Sequence, residues 1–407
     1  MLRALACVIG DLSLIRALGR RGIPVAVATS APGSIPTLSR YAREVVRTPD
    51  VVEDPEGLVD ALVTWARHKP EPPVLFYQGD HDLLALSRRR ESLHPHLRCV
   101  LPAEELVEDL VDKLRFAELA ARLSLPVPET RTLRRGSGLV HDASRWDHFP
   151  CVLKPAFRSH WFGSPLQLLA VGSNQKAIRV ESAGELRRLL PLLESHDTDF
   201  VLQAAVEGGE DRIVSYHAYV RASGEVVLDF TGRKLRTSPR RYGLSTCVEI
   251  TADAELRTLG RSIVDRLGFT GVLKMDFKRD GRDRPYLLEI NPRFNLWHHP
   301  ATVAGACLPE LVYKDLVEPG SVRAPKSIRA GVRWVTLRDD FRGLTEYRRA
   351  GELTFAGWLK DVATADVNED FVFRDPVPGF VELFGVARRK LSRLGVRRGP
   401  AREPEVA

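Results

Sequence analysis

The sequence is poor in several things, and each shortage excludes something. No apolar run approaches the ~18 residues that a membrane-spanning helix needs, so no membrane span is expected. Cysteine is scarce: Cys7, Cys99, Cys151, Cys247 and Cys307 are scattered, odd in number, and form no CxxC pair. That argues against a disulfide framework and a structural zinc site, and fits a reducing cytoplasm. GxGxxG is absent, and so is the P-loop pattern ending in Gly-Lys-Ser/Thr, which argues against a dinucleotide fingerprint and removes P-loop nucleotide binding. No repeat or low-complexity segment is visible. The apolar N-terminus is interrupted by Asp11 and followed by Arg16, Arg20 and Arg21, so it reads as a buried strand rather than a signal peptide.

What is present is globular: 407 residues, 44% hydrophobic and 28% charged, enough for two or three domains at ~150 residues each. The net charge of +7 is concentrated at one end. From Val386 onward there are seven basic and two acidic residues, leaving the rest nearly neutral. No nucleic-acid surface is expected, and the tail reads as a solvated end, with binding to an anionic surface as the alternative.

Short apolar strands at 4–9, 23–28 and 74–77 alternate with helical patterns near 12–18, 56–67 and 81–92. This predicts a small parallel α/β domain over 1–105. A charged helix is expected over 103–124. Strands are expected at 150–154, 177–180, 200–206, 212–221, 225–231, 271–278 and 285–291, with helices near 183–194 and 253–267. Mixed elements without strict alternation predict an α+β domain over 106–320. A C-terminal extension (321–385) and the basic tail (386–407) follow.

Three stretches can carry chemistry. Arg279-Asp-Gly-Arg-Asp-Arg284 is a turn between two strands. A hairpin centred near residue 282 places Asp276 opposite Glu289, and alternation puts Asn291 on the same face. Two carboxylates and an amide oxygen suit a hard cation, Mg²⁺ or Mn²⁺. The alternative has Asp276 facing solvent and Glu289 paired with Lys274 or Arg293. Lys154 ends an apolar strand and suits a phosphate as a point charge, unless it is simply a surface lysine. Phe200-Val-Leu-Gln203-Ala-Ala-Val-Glu-Gly-Gly-Glu210 offers a strand edge for an adenine and an acid for a ribose, or else is an ordinary turn.

In this order, with Glu289-Ile-Asn-Pro-Arg293 closing the set, these stretches resemble the ATP-grasp superfamily. More narrowly they resemble its carbamoyl-phosphate-synthase-like carboxylate–amine ligases, which include D-aspartate ligases. The resemblance implies a two-lobed ATP-grasp domain with a small lobe (106–201), hinge (202–206) and large lobe (207–320), behind a pre-ATP-grasp domain. It implies ATP and Mg²⁺ (or Mn²⁺) as cofactors and small-molecule carboxylate and amine substrates joined through an acyl-phosphate. A cytoplasmic location is expected, and a homo-oligomer is open. Adenine would lie at the hinge with Gln203, Ala204 and Val206, ribose on Glu210, phosphates on Lys113 and Lys154, and metal on Asp276, Glu289 and Asn291. Arg293, Arg233 and Lys234 are the candidates for the transferring phosphoryl group and the substrate carboxylate. This sequence departs from the pattern in three places. Arg158-Ser-His-Trp-Phe162 replaces a glycine-rich flap, Gln203 stands where Glu is common, and Asp276 stands where Glu is frequent. A small-molecule kinase or a non-catalytic nucleotide-binding regulator remains the alternative.

Overall fold

The computed structural model describes residues 4–136, 138–156 and 177–382, arranged around three sheets. The first is wholly parallel, with β1 (Ala6–Ile9), β2 (Val25–Thr29), β3 (Ala42–Arg47) and β4 (Val74–Tyr77) in spatial order β3-β2-β1-β4. Its inner strands are continuous apolar runs because both faces are covered. Ala6, Val8, Val27 and Phe76 pack toward the helix Leu12–Gly19 and the largest sheet. Cys7, Ala26, Leu75 and Tyr77 pack against Pro55–Ala66 and Asp80–Arg88. The strand order reverses between β1 and β4, and such a reversal opens a crevice at the strands' C-terminal ends. There the Asp11 N–H donates to Gln78 Oε1 at 2.6 Å.

The second sheet is antiparallel: β5 (Thr130–Leu133), β6 (Cys151–Pro155), β7 (Ile178–Val180) and β8 (Phe200–Ala204), in order β5-β8-β6-β7. The helices Gly138–Ser144 and Ala183–Glu194 share its core. The third sheet comprises β9 (Ile213–Val220), β10 (Val226–Ser238), β11 (Leu244–Thr251), β12 (Gly271–Arg279), β13 (Pro285–Asn291), β14 (Arg333–Val335) and β15 (Val367–Asn368), in order β13-β12-β9-β10-β11-β14-β15. Tyr216, Met275 and Phe277 pack one of its faces on helices Ala254–Leu267 and Lys113–Arg122. Phe230, Val248, Trp297 and Trp334 pack the other toward the first sheet. A fully buried Arg16 ties the two: it pairs with Glu369 Oε1 at 2.8 Å and Asp375 Oδ2 at 2.9 Å. Glu369 also meets His299 Nδ1 at 2.8 Å and Trp334 Nε1 at 2.7 Å.

The expected elements omit β3, β5 and β11, and several of those expected differ in extent. The single helix over 103–124 is two, Glu104–Val111 and Lys113–Arg122. Asp112 between them is extended, and its side chain accepts from the Leu114 and Arg115 N–H groups at 2.7 and 3.1 Å. The apolar period continues through the break, so an internal aspartate acting as N-cap is the only local sign of it. β10 continues well past the expected end at 231, through the charged stretch Arg233-Lys-Leu-Arg236 to Ser238. Burial between β9 and β11 overrides the polar character of that stretch. The segment at Arg158–Phe162 and the tail from Val386 lie outside the described residues. Among the described residues, no helix is long and apolar enough to cross a membrane.

Candidate active site

The hairpin forms in the expected register: Asp276 faces Glu289, and Lys274 faces Asn291. Alternation places all four side chains on one face of the sheet. A bulge directly after Asp276 adds local twist at that point. Asp276 is 2% exposed, so it does not point to solvent. Its carboxylate accepts from Lys274 Nζ at 2.7 Å, Lys234 Nζ at 3.2 Å, and the Ser215 hydroxyl. Burial alone would raise its pKa, but the two ammonium groups hold it well below the usual carboxylate value. Lys234 responds reciprocally: burial opposes its charge, and Asp276, Glu289 and Glu210 more than offset that, raising its pKa. Lys274 is lowered, chiefly by burial.

Glu289 is the acid that these cations share, because its charge acts on Lys154, Lys234, Lys274 and Arg293. Asn291 Nδ2 lies 3.4 Å from Glu289 Oε1, and Arg293 Nη2 donates to Asn291 Oδ1 at 3.2 Å. Arg293 is also ion-paired with Asp80, the first residue of Asp80–Arg88 after β4. The crevice of the parallel sheet therefore meets the hairpin at this ion pair.

From the second sheet, Lys154 Nζ donates to Gln203 Oε1 at 2.8 Å, and Gln203 Nε2 reaches Thr130 Oγ1 at 3.3 Å. Lys154 is half-buried and bonded rather than a free surface lysine. Burial brings its pKa down to about 8, with Lys113 adding to the shift and Glu289 opposing it. Lys113 Nζ donates to the Ala156 carbonyl at 3.2 Å, so both lysines gather at the end of β6. At the hinge, the Ala204 and Ala205 N–H groups go to the Glu129 and Pro150 carbonyls at 2.8 and 2.9 Å. Val206 is half-buried beyond them. Glu210 opens the short turn Glu210–Arg212 and accepts from Thr237 Oγ1 at 3.2 Å.

Arg233 does not join the set. Neighbours on a strand point to opposite faces, and Arg233 bonds Glu249 Oε2 at 2.7 Å across β10–β11. Arg333 shares that glutamate at 3.2 Å. Sequence reasoning also missed three residues. Lys274 could have been found from its alternation with Asp276, and Asp80 from its place just after a parallel strand. Ser215 carries no local signal, since only the β9–β12 register brings it to Asp276. Among the described residues, no group of three His, Cys, Asp or Glu side chains could hold a metal. Asp276, Glu289 and Asn291 instead supply a partial oxygen set, of the kind that suits Mg²⁺ completed by phosphate and water.

Residues 223–338, the span from β10 to β14 and its helix junction, match the model for an ATP-grasp family described as acting in the biosynthetic pathway with the Ter operon. A D-aspartate ligase of Enterococcus faecium is 24% identical over 257 residues, 61% of this chain and 60% of that protein. The chain thus spans less than two thirds of that relative's length. An N5-carboxyaminoimidazole synthetase from Staphylococcus aureus, solved with ADP, superposes with a TM-score of 0.61 at 15% identity, over 86% of this chain and 87% of that one. An L-amino acid ligase from Bacillus licheniformis gives a TM-score of 0.55 at 16% identity, over 78% and 74%. The chain shares the fold of these two solved enzymes, and its residues 223–338 carry the ATP-grasp match. The matched span contains Lys234, Asp276, Glu289, Asn291 and Arg293, whereas Lys113, Lys154, Gln203 and Glu210 precede it.

Proposed function

We propose that the protein is an ATP-dependent carboxylate–amine ligase that forms an amide through an acyl-phosphate and releases ADP and phosphate. The observation that carries this reading is the Asp276–Glu289 register pair, ringed by Lys154, Lys234, Lys274 and Arg293. The relatives named above, ligases and a synthetase, support it. The chemical difficulty is bringing a carboxylate against a polyphosphate, and fixed cations in a dry site reduce that repulsion and stabilise the charge spread during transfer. Lys113 and Lys154 are assigned to the phosphates; Gln203, Ala204 and Val206 to the adenine; and Glu210 to the ribose. Asp276, Glu289 and Asn291 would hold Mg²⁺ or Mn²⁺, which supplies positive charge at the phosphate oxygens. With phosphate present, Lys234 and Lys274 gain a second anion beside Asp276. Arg293, paired with Asp80 and bonded to Asn291, is assigned to a substrate carboxylate at the crevice between β1 and β4. Arg233 has no part in this assignment. Domain limits of 1–105, 106–320 and 321–385 belong to the same proposal, with β14 and β15 of the extension completing the third sheet.

The test is interception. Carboxylates are first screened for ADP release above background with ATP and Mg²⁺, and hydroxylamine is then added to those that stimulate it. A hydroxamate formed together with ADP supports the ligase. ADP with a stable phosphorylated product and no hydroxamate replaces it with a kinase.

A further inference from the structure

Exposed aromatic surface is gathered in one place. Among the described residues, the phenylalanines that stand exposed all belong to the extension: Phe341, Phe355, Phe371, Phe373 and Phe380, with Phe373 90% exposed. Phe341 and Phe355 pack on Trp358 with ring centroids 5.4 and 5.7 Å away, and Phe371 meets Phe380 edge-on at 5.4 Å. Phe341, Trp358 and Gly379 share one apolar cavity of about 320 Å³, so the two ring groups flank it and form a single face. Leu359, also exposed, lies one helical turn after Phe355 and extends that face. A contiguous exposed cluster of this kind marks an interaction surface.

Cations accompany this face. Exposed Lys360 follows Leu359, and exposed Arg374 follows Phe373. The acids beside the cavity are engaged: Glu382 pairs with Arg338, Asp339 pairs with Arg342 at 2.9 Å, and Asp370 accepts from the Arg338 N–H at 2.8 Å. Residues 376–382 are helical, and the sequence carries their apolar spacing onward. Phe380, Phe384, Ala387, Leu391 and Leu394 recur every three or four positions, with Arg388, Arg389, Lys390 and Arg393 between them. An apolar stripe flanked by cations, with no acid among them, is the pattern of a segment that lies at a lipid–water boundary. The seven basic residues beyond Val386 outnumber the acids at this face. Folding the tail back on it would leave most of that charge unmatched, whereas an anionic surface matches it.

We propose that this face of the extension docks on an anionic phospholipid bilayer. The exposed rings enter the boundary between headgroups and acyl chains, while Lys360, Arg374 and the basic residues beyond Val386 lie against the headgroup phosphates. Apolar insertion and charge act together, each too weak alone for lasting attachment. The attachment is peripheral, since no described helix is long and apolar enough to cross a membrane. It is independent of the ligase reading, because none of these residues belongs to the candidate active site.

Sedimentation of the full-length protein with lipid vesicles tests this. Binding is expected to phosphatidylcholine vesicles containing about one-third phosphatidylglycerol, and should weaken about tenfold or more on phosphatidylcholine alone or in about 0.5 M salt. Phe373→Ser should weaken binding by about tenfold, the scale of one buried aromatic side chain, and leave the urea midpoint where it was. Deleting the residues from Val386 onward should remove most of the preference for phosphatidylglycerol. Failure of the parent protein to bind the anionic vesicles overturns the proposal. So does a Phe373→Ser variant that binds as tightly as the parent, because adsorption by charge alone then accounts for the binding. A concentration-dependent dimer that Phe373→Ser dissolves, seen without vesicle binding, gives the face to a second copy of the chain instead.

Discussion

Lys154 is a lysine whose charge sits near its tipping point. Burial brings its pKa to about 8, so in the free protein it is charged at pH 7 and largely neutral at pH 9. If it holds phosphate, KM for ATP should rise several-fold over that interval. Lys154→Arg, charged throughout, should flatten the profile; a profile that is equally steep in the variant removes the assignment. Adjacent residues on β10 supply a sharper contrast. Lys234 faces Asp276 while Arg233 faces away toward Glu249. Lys234→Met should therefore cost about 10²–10³ in kcat, as loss of a transition-state charge contact does, and Arg233→Met should stay within about threefold. Equal losses would show that the face of the sheet does not decide the role. Glu289→Gln should be nearly inactive or need far more Mg²⁺, and full activity in excess EDTA would rule out the metal assignment.

The break at Asp112 has an energetic and a functional side. Its carboxylate caps Lys113–Arg122, so Asp112→Ala should destabilise by about 0.5–2 kcal/mol, read from the denaturant midpoint. It should also raise KM for ATP, because the cap fixes the residue that reaches Ala156. The same element shows where sequence reading stops. The β12–β13 hairpin could be read in advance, because its turn fixed the centre and period-two alternation fixed the faces of Asp276, Glu289 and Asn291. Three strands of the parallel first sheet were equally readable from their apolar runs and the helices between them, whereas β3, with three charged residues in six, was not. The helix break was hidden by a continuous apolar period, and β10's extension by the charges of Arg233, Lys234 and Arg236. Ser215 and Asp80 come to the site only through pairing and packing between distant segments, which local patterns do not record. The family resemblance implies Arg233 and Lys234 alike as site candidates, and alternation along the strand separates them.

Across the whole molecule, Arg16 joins segments more than 350 positions apart. It is fully buried, and removing one partner of such a pair leaves a costly uncompensated charge. Arg16→Met should thus destabilise by about 3–5 kcal/mol, measured by urea unfolding. Burial would raise the Glu369 pKa, but His299 and Arg16 bring it down to about 2 from a usual 4.5. A depressed acid stabilises the fold above its unfolded value, so this contribution is intact at pH 5 and lost as pH falls from 4.5 toward 2. Removal of the tail from Val386, which has a high charge and little apolar content, should leave kcat/KM within a few-fold. The Arg16 tie also has a consequence in time. At a synthesis rate of about 5–20 residues per second, the ribosome emits Glu369 some 20–70 s after Arg16. Throughout that interval the first sheet carries a cation whose buried partners do not yet exist. A nascent chain stalled before Glu369 cannot seal that joint.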